Sequence, residues 1–359
     1  MRVILAGGGT GGHVIPALAI ARELQHLYSA ECLFIGTSRG METRLVPAAG
    51  FPLQLIQVGA LNQVSLMTRL KTLFGLPVAV WTALGILRKF RPDVVIGVGG
   101  YASGPAMAAA ALRRIPMLAF EPNFVPGFAN RIVAPFVSAA AVHFEGARKY
   151  FSNCHVTGVP VRSQFFDVPS RERARAAGDP PTLLVFGGSQ GAHAINQAVC
   201  EAVSGLREKL PNLQIIHQTG ERDYSATLAA YEKLGIKAEV SKFIDDMPGT
   251  FARADLIVCR AGASTVAEIA AAGKPAIYVP FPRSADDHQR RNAEAMQSAG
   301  AAVMLEERDL TTPKVVALIA GLLSDPSKLE AMSVATRRMA HPNAAREIAE
   351  LVKSLADQQ

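Results

Sequence analysis

An apolar run of strand length, MRVILA, passes directly into GGGTGGHVIP (Gly7–Pro16) and then into a helical pattern, VIPALAIARELQHL. Strand, glycine turn and helix N-terminus in that order commit the chain to a βα unit of a parallel sheet. Glycines let the backbone approach an anion closely, and the free N–H groups at the positive end of the helix dipole attract phosphate. Gly7, Gly9 and Gly12 also satisfy G-x-G-x-x-G, a dinucleotide spacing of low specificity when it stands alone. The competing reading is a tight turn that binds nothing.

The alternation continues. ECLFIG (Glu31–Gly36) reads as a buried strand, Met41–Ala49 as a helix, and FPLQLIQV from Phe51 as a further strand, which together predict right-handed crossovers onto one sheet. A dinucleotide site would place an acid at the end of the second strand to hold a ribose diol. That strand ends Ile35-Gly36-Thr37, so the nicotinamide reading is disfavoured. PDVVIG (Pro92–Gly97) opens into a second glycine turn containing Gly99, Gly100, Tyr101, Ser103 and Gly104, and PMLAFEPN then delivers Glu121 and Asn123 to the same sheet edge. For these last two, ligand contact and turn chemistry are equally open.

Between the two turns lies LFGLPVAVWTALGIL (Leu73–Leu87), uncharged and flanked by Arg69 and Lys71 before it and Arg88, Lys89 and Arg91 after it. It is too short to span a bilayer and contains Pro77. Two readings remain: a buried crossover helix, or a helix whose apolar face lies in a membrane interface beneath a basic collar. The net charge of +7 suits nucleic acid, an anionic membrane or phosphorylated substrates equally well, so its placement has to decide.

With 359 residues, 49% of them hydrophobic and 19% charged, the chain has the size of two ordinary α/β domains and lacks the composition of a disordered one. Cys32, Cys154, Cys200 and Cys259 are scattered without C-x-x-C spacing, which excludes a recognisable zinc site or disulfide framework. The apolar N-terminal run gives way to glycine too early for a signal peptide, so a protein that is not exported is expected.

Periodicity lapses in Val156–Pro181, where Pro, Gly and charge accumulate and a domain boundary is expected. TLLVFGGSQGAHAINQAV then repeats the opening plan with Gly187, Gly188 and Gly191, so the second half reads as a second Rossmann-like domain. Further on, strand DLIVC ends at Arg260, AGAST opens a helix, Glu268 follows within it, and Gly273 closes it. A carboxylate at that place can accept both hydrogens of a ribose diol. Gln289 and Asn292, three apart, share one face of a later helix. The chain contains no D-x-D, and its adjacent pairs Asp245-Asp246 and Asp286-Asp287 do not share a helix face, so no metal site is predicted.

GGTGGH, GGYAS, GGSQGA and RAGASTVAEI, in that order and with the basic hydrophobic stretch, make the chain resemble the MurG family over essentially its full length. The resemblance implies a GT-B fold: α/β, two Rossmann-like domains and a deep inter-domain cleft. It implies an N-terminal domain over 1–161, a C-terminal domain over 162–340, and a last helix within 341–359 that packs back on the first. The implied reaction is inverting transfer of N-acetylglucosamine (GlcNAc) from UDP-GlcNAc to the 4-hydroxyl of N-acetylmuramic acid (MurNAc) in lipid I, undecaprenyl-pyrophosphoryl-MurNAc-pentapeptide. Another UDP-sugar enzyme of the same fold, such as a 2-epimerase or lipid glycosyltransferase, and a non-catalytic nucleotide-sensing membrane protein are the alternatives.

Carried over onto matching positions, the family pattern makes His13 the catalytic base, with a structural brace for the glycine loop as its rival role. It assigns Gly9, His13, Gly99, Gly100, Tyr101 and Ser103 to the acceptor. It assigns the donor to Thr10, Gly11, Gly12, Asn123, Arg162, Ser189, Ile244, Ala263, Ser264, Thr265, Val266, Ala267, Glu268, Gln289 and Asn292. Two departures stand out: Glu121-Pro122-Asn123 where the family reads E-Q-N, and Val159-Pro160-Val161-Arg162 where it reads N-P-V-R. The resemblance further implies no cofactor and no catalytic metal, no nucleic-acid partner, and peripheral attachment to the cytoplasmic face of the bacterial inner membrane through Leu73–Leu87 and its basic flanks. Wall-synthesis proteins are possible partners.

Overall fold

The computed structural model describes residues 1–58, 66–169 and 179–358, with only the backbone of 66–74. The chain divides into two compact units, 1–160 together with 343–359, and 161–342.

The N-terminal unit is built on seven strands: β1 (Arg2–Gly7), β2 (Glu31–Gly36), β3 (Leu53–Leu55), β4 (Val94–Gly99), β5 (Met117–Glu121), β6 (Ala139–Val142) and β7 (Cys154–Val156). All pair in parallel in the order β3-β2-β1-β4-β5-β6-β7. Continuous apolar runs such as VILA suit strands covered on both faces, and Val3 to Ala6 are fully buried. The third strand is shorter than the apolar run suggested, because it lies at the sheet edge, where Leu55 is exposed.

The helices of this unit are α1 (Gly11–Tyr28), α2 (Glu42–Ala48), α3 (Leu66–Phe90), α4 (Ser103–Leu112) and α5 (Phe128–Val133). The alanine-rich α4 seats Ala106, Met107, Ala109 and Ala110 in the core beside Ala83 and Leu87 of α3. Gly97 permits that approach, since a Cβ there would lie 2.8 Å from Ser103 Oγ. Of the two alternatives left open for Leu73–Leu87, burial holds for one face of α3 only. Ala79, Ala83 and Leu87 are buried, whereas Val78 and Trp81 on another face are 66% and 78% exposed, and Arg88 and Lys89 follow in the open. It also continues through Pro77, an exposed position where water can serve the carbonyl that loses its partner. The side chains of Arg69 and Lys71 lie outside the described residues.

The C-terminal unit repeats the design with β8 (Thr182–Phe186), β9 (Gln214–Gln218), β10 (Ala238–Ser241), β11 (Leu256–Cys259), β12 (Ala276–Tyr278) and β13 (Ala302–Met304), all parallel in the order β10-β9-β8-β11-β12-β13. Its helices are α6 (His193–Lys209), α7 (Tyr224–Lys233), α8 (Met247–Arg253), α9 (Ala263–Ala272), α10 (His288–Ser298), α11 (Thr312–Leu323) and α12 (Pro326–Arg338). The last helix, α13 (Ala344–Asp357), belongs to the N-terminal unit, where it packs on α1 with Ile348, Ala349, Val352 and Leu355 buried.

Strand order reverses between β1 and β4 in one sheet and between β8 and β11 in the other. Open parallel sheets bind ligands at such points, beyond the carboxyl ends of the strands. The glycine turns stand at both.

Candidate active site

At the first switch point the two glycine turns touch. Gly8 N–H donates to Gly99 O at 3.2 Å, and Gly100, at φ +82°, comes so near that a Cβ would lie 2.4 Å from Gly8 O. No side chain caps α1 behind Thr10, and Gly11 and Gly12 form its first turn, leaving backbone N–H groups at the helix mouth. His13 projects from that turn, and its Nδ1 lies 3.1 Å from Gly8 O. The carbonyl can only accept, so Nδ1 carries the hydrogen and the neutral ring keeps its lone pair on Nε2. That nitrogen lies toward Gly99, whose hypothetical Cβ would be 3.1 Å away. Burial lowers the pKa of His13, opposed by the Gly8 carbonyl and the charge of Glu42. Tyr101 is exposed, and the Ser103 hydroxyl is buried with no hydrogen-bond partner among the described residues.

Glu42, which sequence reasoning missed, is 1% exposed and fills the hollow of the first turn. It accepts from Gly9 N–H at 2.7 Å, Thr37 N–H at 2.9 Å and Thr37 Oγ1 at 3.0 Å. The expectation that the whole turn awaits an external anion is therefore corrected, because the N–H of Gly9 is taken by an internal carboxylate. The acid sought at the end of β2 is present, but it arrives from the first turn of α2 and serves backbone.

Glu121 and Asn123 are engaged in turn hydrogen bonds. Glu121 Oε1 accepts from Asn123 N–H at 3.0 Å and Asn123 Nδ2 at 3.1 Å, while Oε2 accepts from Gly127 N–H at 2.9 Å and Asn130 Nδ2 at 2.9 Å. Burial raises the pKa of this carboxyl against those four donors.

In the C-terminal unit, β8 leads into Gly187–Gly191 and α6, with Ser189 exposed at the tip. Gln218 at the end of neighbouring β9 is buried, donates from Nε2 to Gly188 O at 2.9 Å and accepts from Ile244 N–H at 2.8 Å. The N–H of Ile244 is thus taken by Gln218. Gln218 too escaped sequence reasoning.

Across the switch point, β11 ends before Arg260, and α9 begins at Ala263 with no side-chain cap. The Ser264 hydroxyl is buried without a partner among the described residues. Val266 and Ala267 are buried, so of these two only backbone can reach a ligand. Glu268 rises one turn further along, where burial lifts its pKa to about 7 despite the opposing charge of Arg162. The Arg162 guanidinium itself lies 5.0 Å from the centre of the Phe165 ring. Gln289 and Asn292 are engaged on the protein: Gln289 Oε1 accepts from Phe281 N–H at 3.0 Å, and the fully buried Asn292 donates to Ala261 O at 3.2 Å. Arg260 pins the adjoining segment by donating to the Val279 and Pro280 carbonyls while pairing with Glu307 at 2.5 Å. Among the described residues no cluster of three or more His, Cys, Asp or Glu side chains converges as metal ligands.

Two Rossmann-like units, each with a glycine turn and an uncapped helix mouth at its switch point, make up the GT-B architecture. The model of the glycosyltransferase family 28 N-terminal domain matches residues 3–142, and that of the family 28 C-terminal domain matches 182–350. The UDP-N-acetylglucosamine--N-acetylmuramyl-(pentapeptide) pyrophosphoryl-undecaprenol N-acetylglucosamine transferase of Anaeromyxobacter sp. (strain Fw109-5) is 45% identical over 99% of this chain and 93% of its own length. The enzyme of the same name from Syntrophotalea carbinolica is 44% identical over the full length of both. The crystal structure of Acinetobacter baumannii MurG superposes with a TM-score of 0.82 at 33% identity, covering 98% of this chain and 99% of that one. The chain belongs to the MurG family of glycosyltransferases. A UDP-GlcNAc 2-epimerase from Neisseria meningitidis, at TM-score 0.68 and 15% identity, shares the fold alone.

Proposed function

We propose that the protein transfers GlcNAc from UDP-GlcNAc to the MurNAc 4-hydroxyl of lipid I, giving lipid II with inversion at the anomeric carbon. The observation that carries this reading is 45% identity along essentially the whole chain to enzymes bearing that name. Acceptor binding is assigned to the N-terminal unit and donor binding chiefly to the C-terminal one, with Thr10, Gly11, Gly12 and Asn123 contributing to the donor from the first unit. His13 Nε2 takes the proton of the attacking hydroxyl, the new C1–O bond forms, and the bond from C1 to the diphosphate breaks with UDP as leaving group. Backbone N–H groups of Gly187–Gly191 and the mouth of α9, with Arg162, stabilise the departing diphosphate in place of a divalent ion. Glu268 accepts from the ribose hydroxyls, and the Ile244 carbonyl accepts from the uracil N–H.

Membrane attachment is part of the same proposal. Val78 and Trp81 are exposed on α3 with Arg88 and Lys89 beyond them, a surface suited to the interface of an anionic membrane. Among the described residues no helix is long and apolar enough to cross a bilayer. The expected location is the cytoplasmic face, where a polyprenyl-linked acceptor and a soluble sugar nucleotide meet.

Thermal shift with UDP-GlcNAc, UDP-glucose and NADH tests the donor assignment. UDP-GlcNAc is expected to raise the melting temperature most. Stabilisation by NADH and not by UDP-GlcNAc would refute the assignment.

A further inference from the structure

We propose that Glu42 is a positioning residue of the transfer reaction, acting on His13 through the Gly8–Gly9 peptide group. The proposal rests on the reading of His13 as base.

One planar peptide links the two side chains. Its N–H, from Gly9, donates to Glu42 Oε2 at 2.7 Å, and its carbonyl, from Gly8, accepts from His13 Nδ1 at 3.1 Å. An anion at the N–H end pushes electron density toward the carbonyl oxygen, strengthening the bond that oxygen accepts. The carboxylate thus orients the imidazole, fixes Nδ1 as the protonated nitrogen, and stabilises the imidazolium formed when Nε2 takes a proton. A carboxylate hydrogen-bonded directly to a catalytic histidine does the same work, and here a backbone amide stands between them.

The surroundings hold Glu42 in this position. Thr37 engages its other oxygen through both N–H and hydroxyl. Gly8 from the first turn, Gly36 at the end of β2 and Gly40 from the connection between β2 and α2 leave the room its side chain occupies, since a Cβ on each would come within 2.5 Å of it. Glu42 is the charged group whose field reaches His13, raising a pKa that burial lowers. A brace for the loop would need the hydrogen bonds. The relay also needs the charge.

The test compares the full-length wild type with Glu42→Gln, which keeps the shape and an acceptor but removes the charge. Histidine ring resonances followed by NMR across pH are expected to show His13 titrating at lower pH in the variant. The acidic limb of the kcat profile should move with it, kcat should fall on the order of 10-fold, and donor KM should stay within about 2-fold. Unchanged His13 titration in a folded variant overturns the proposal. A shifted titration that the kcat limb does not follow keeps the link to Glu42 and removes His13 as base. A measurement on the wild type alone guards against misfolding of the variant: ring nitrogen shifts of neutral His13 should report the Nδ1–H tautomer, and the Nε2–H tautomer would overturn the proposal.

Discussion

Burial prevails over the charge of Arg162 at Glu268 and holds that carboxyl at a pKa of about 7. A residue assigned to the ribose hydroxyls is therefore half protonated near neutrality in the free protein, and donor binding must draw on the ionised fraction.

Affinity for UDP-GlcNAc is expected to rise between pH 6 and 8 in wild type and to lose this dependence in Glu268→Gln. Hydrogen bonds to a charged group contribute about 1.5–3 kcal/mol, so Glu268→Ala should raise donor KM on the order of 10–100-fold. The stability effect has the opposite sign. A carboxyl whose folded pKa is raised stabilises the fold below its unfolded value, and that contribution is lost as pH rises through about 7. Glu268→Gln should therefore melt higher than wild type at pH 8, with little difference at pH 4. Calorimetry with titration of the nucleotide checks both signs, and a pH-independent wild-type affinity would remove Glu268 from the donor site.

Gln218 joins the Gly187–Gly191 turn to Ile244, so its substitution should disturb diphosphate and base recognition together. Gln218→Ala leaves two backbone groups without their partner, costing about 1–3 kcal/mol each where buried. Donor KM should rise with a smaller change in kcat, and UDP itself should lose affinity in parallel. Retention of wild-type UDP binding in a folded variant would contradict this role.

Replacing Val78 and Trp81 by serine should leave the melting temperature within a degree or two, because neither side chain is part of the core. Binding to anionic vesicles should fall, as it should when Arg88 and Lys89 are neutralised or salt is raised. Vesicle flotation that ignores all three changes would return the exposed face of α3 to ordinary surface.

Both sheets were legible in the sequence because strands buried on two faces read as unbroken apolar runs between glycine turns, as in VILA and VVIGVG. Helix α3 was legible as a helix but its buried face was not, since Trp81 and Val78 are as apolar as the residues that do enter the core, and no periodicity separates the two faces. Glu42 and Gln218 escaped for a different reason. Each serves backbone groups far along the chain, so no local spacing announces them. The one available hint was the vacancy at the end of β2, where an acid is customary and a buried carboxylate turned out to arrive from the next helix. Asn292 shares a helix face with Gln289 as its spacing suggests, but that spacing did not announce the bond of its amide to Ala261 O.

His13→Ala should lower kcat by about 10²–10⁴-fold with donor KM little changed, since most of the donor contacts are assigned to the other unit and His13 itself to the acceptor. His13 titrates below the ordinary histidine value because of burial, so the acidic limb of wild-type kcat should lie below that value and vanish in the variant. A limb that persists in His13→Ala would make the imidazole a brace for the glycine turn.

Activity should survive chelation, because helix mouths and Arg162 are assigned the role of a cation on the diphosphate. Loss with EDTA that magnesium restores would contradict that assignment.

The most direct test of the whole account is a transfer assay with the purified full-length protein, UDP-GlcNAc labelled in the sugar, and lipid I carrying a short polyprenyl chain. Label is expected in a lipid-linked disaccharide joined β-1,4, with one UDP released per transfer. Conversion of UDP-GlcNAc to its 2-epimer without labelled lipid, or no turnover in the presence of both substrates, would contradict it.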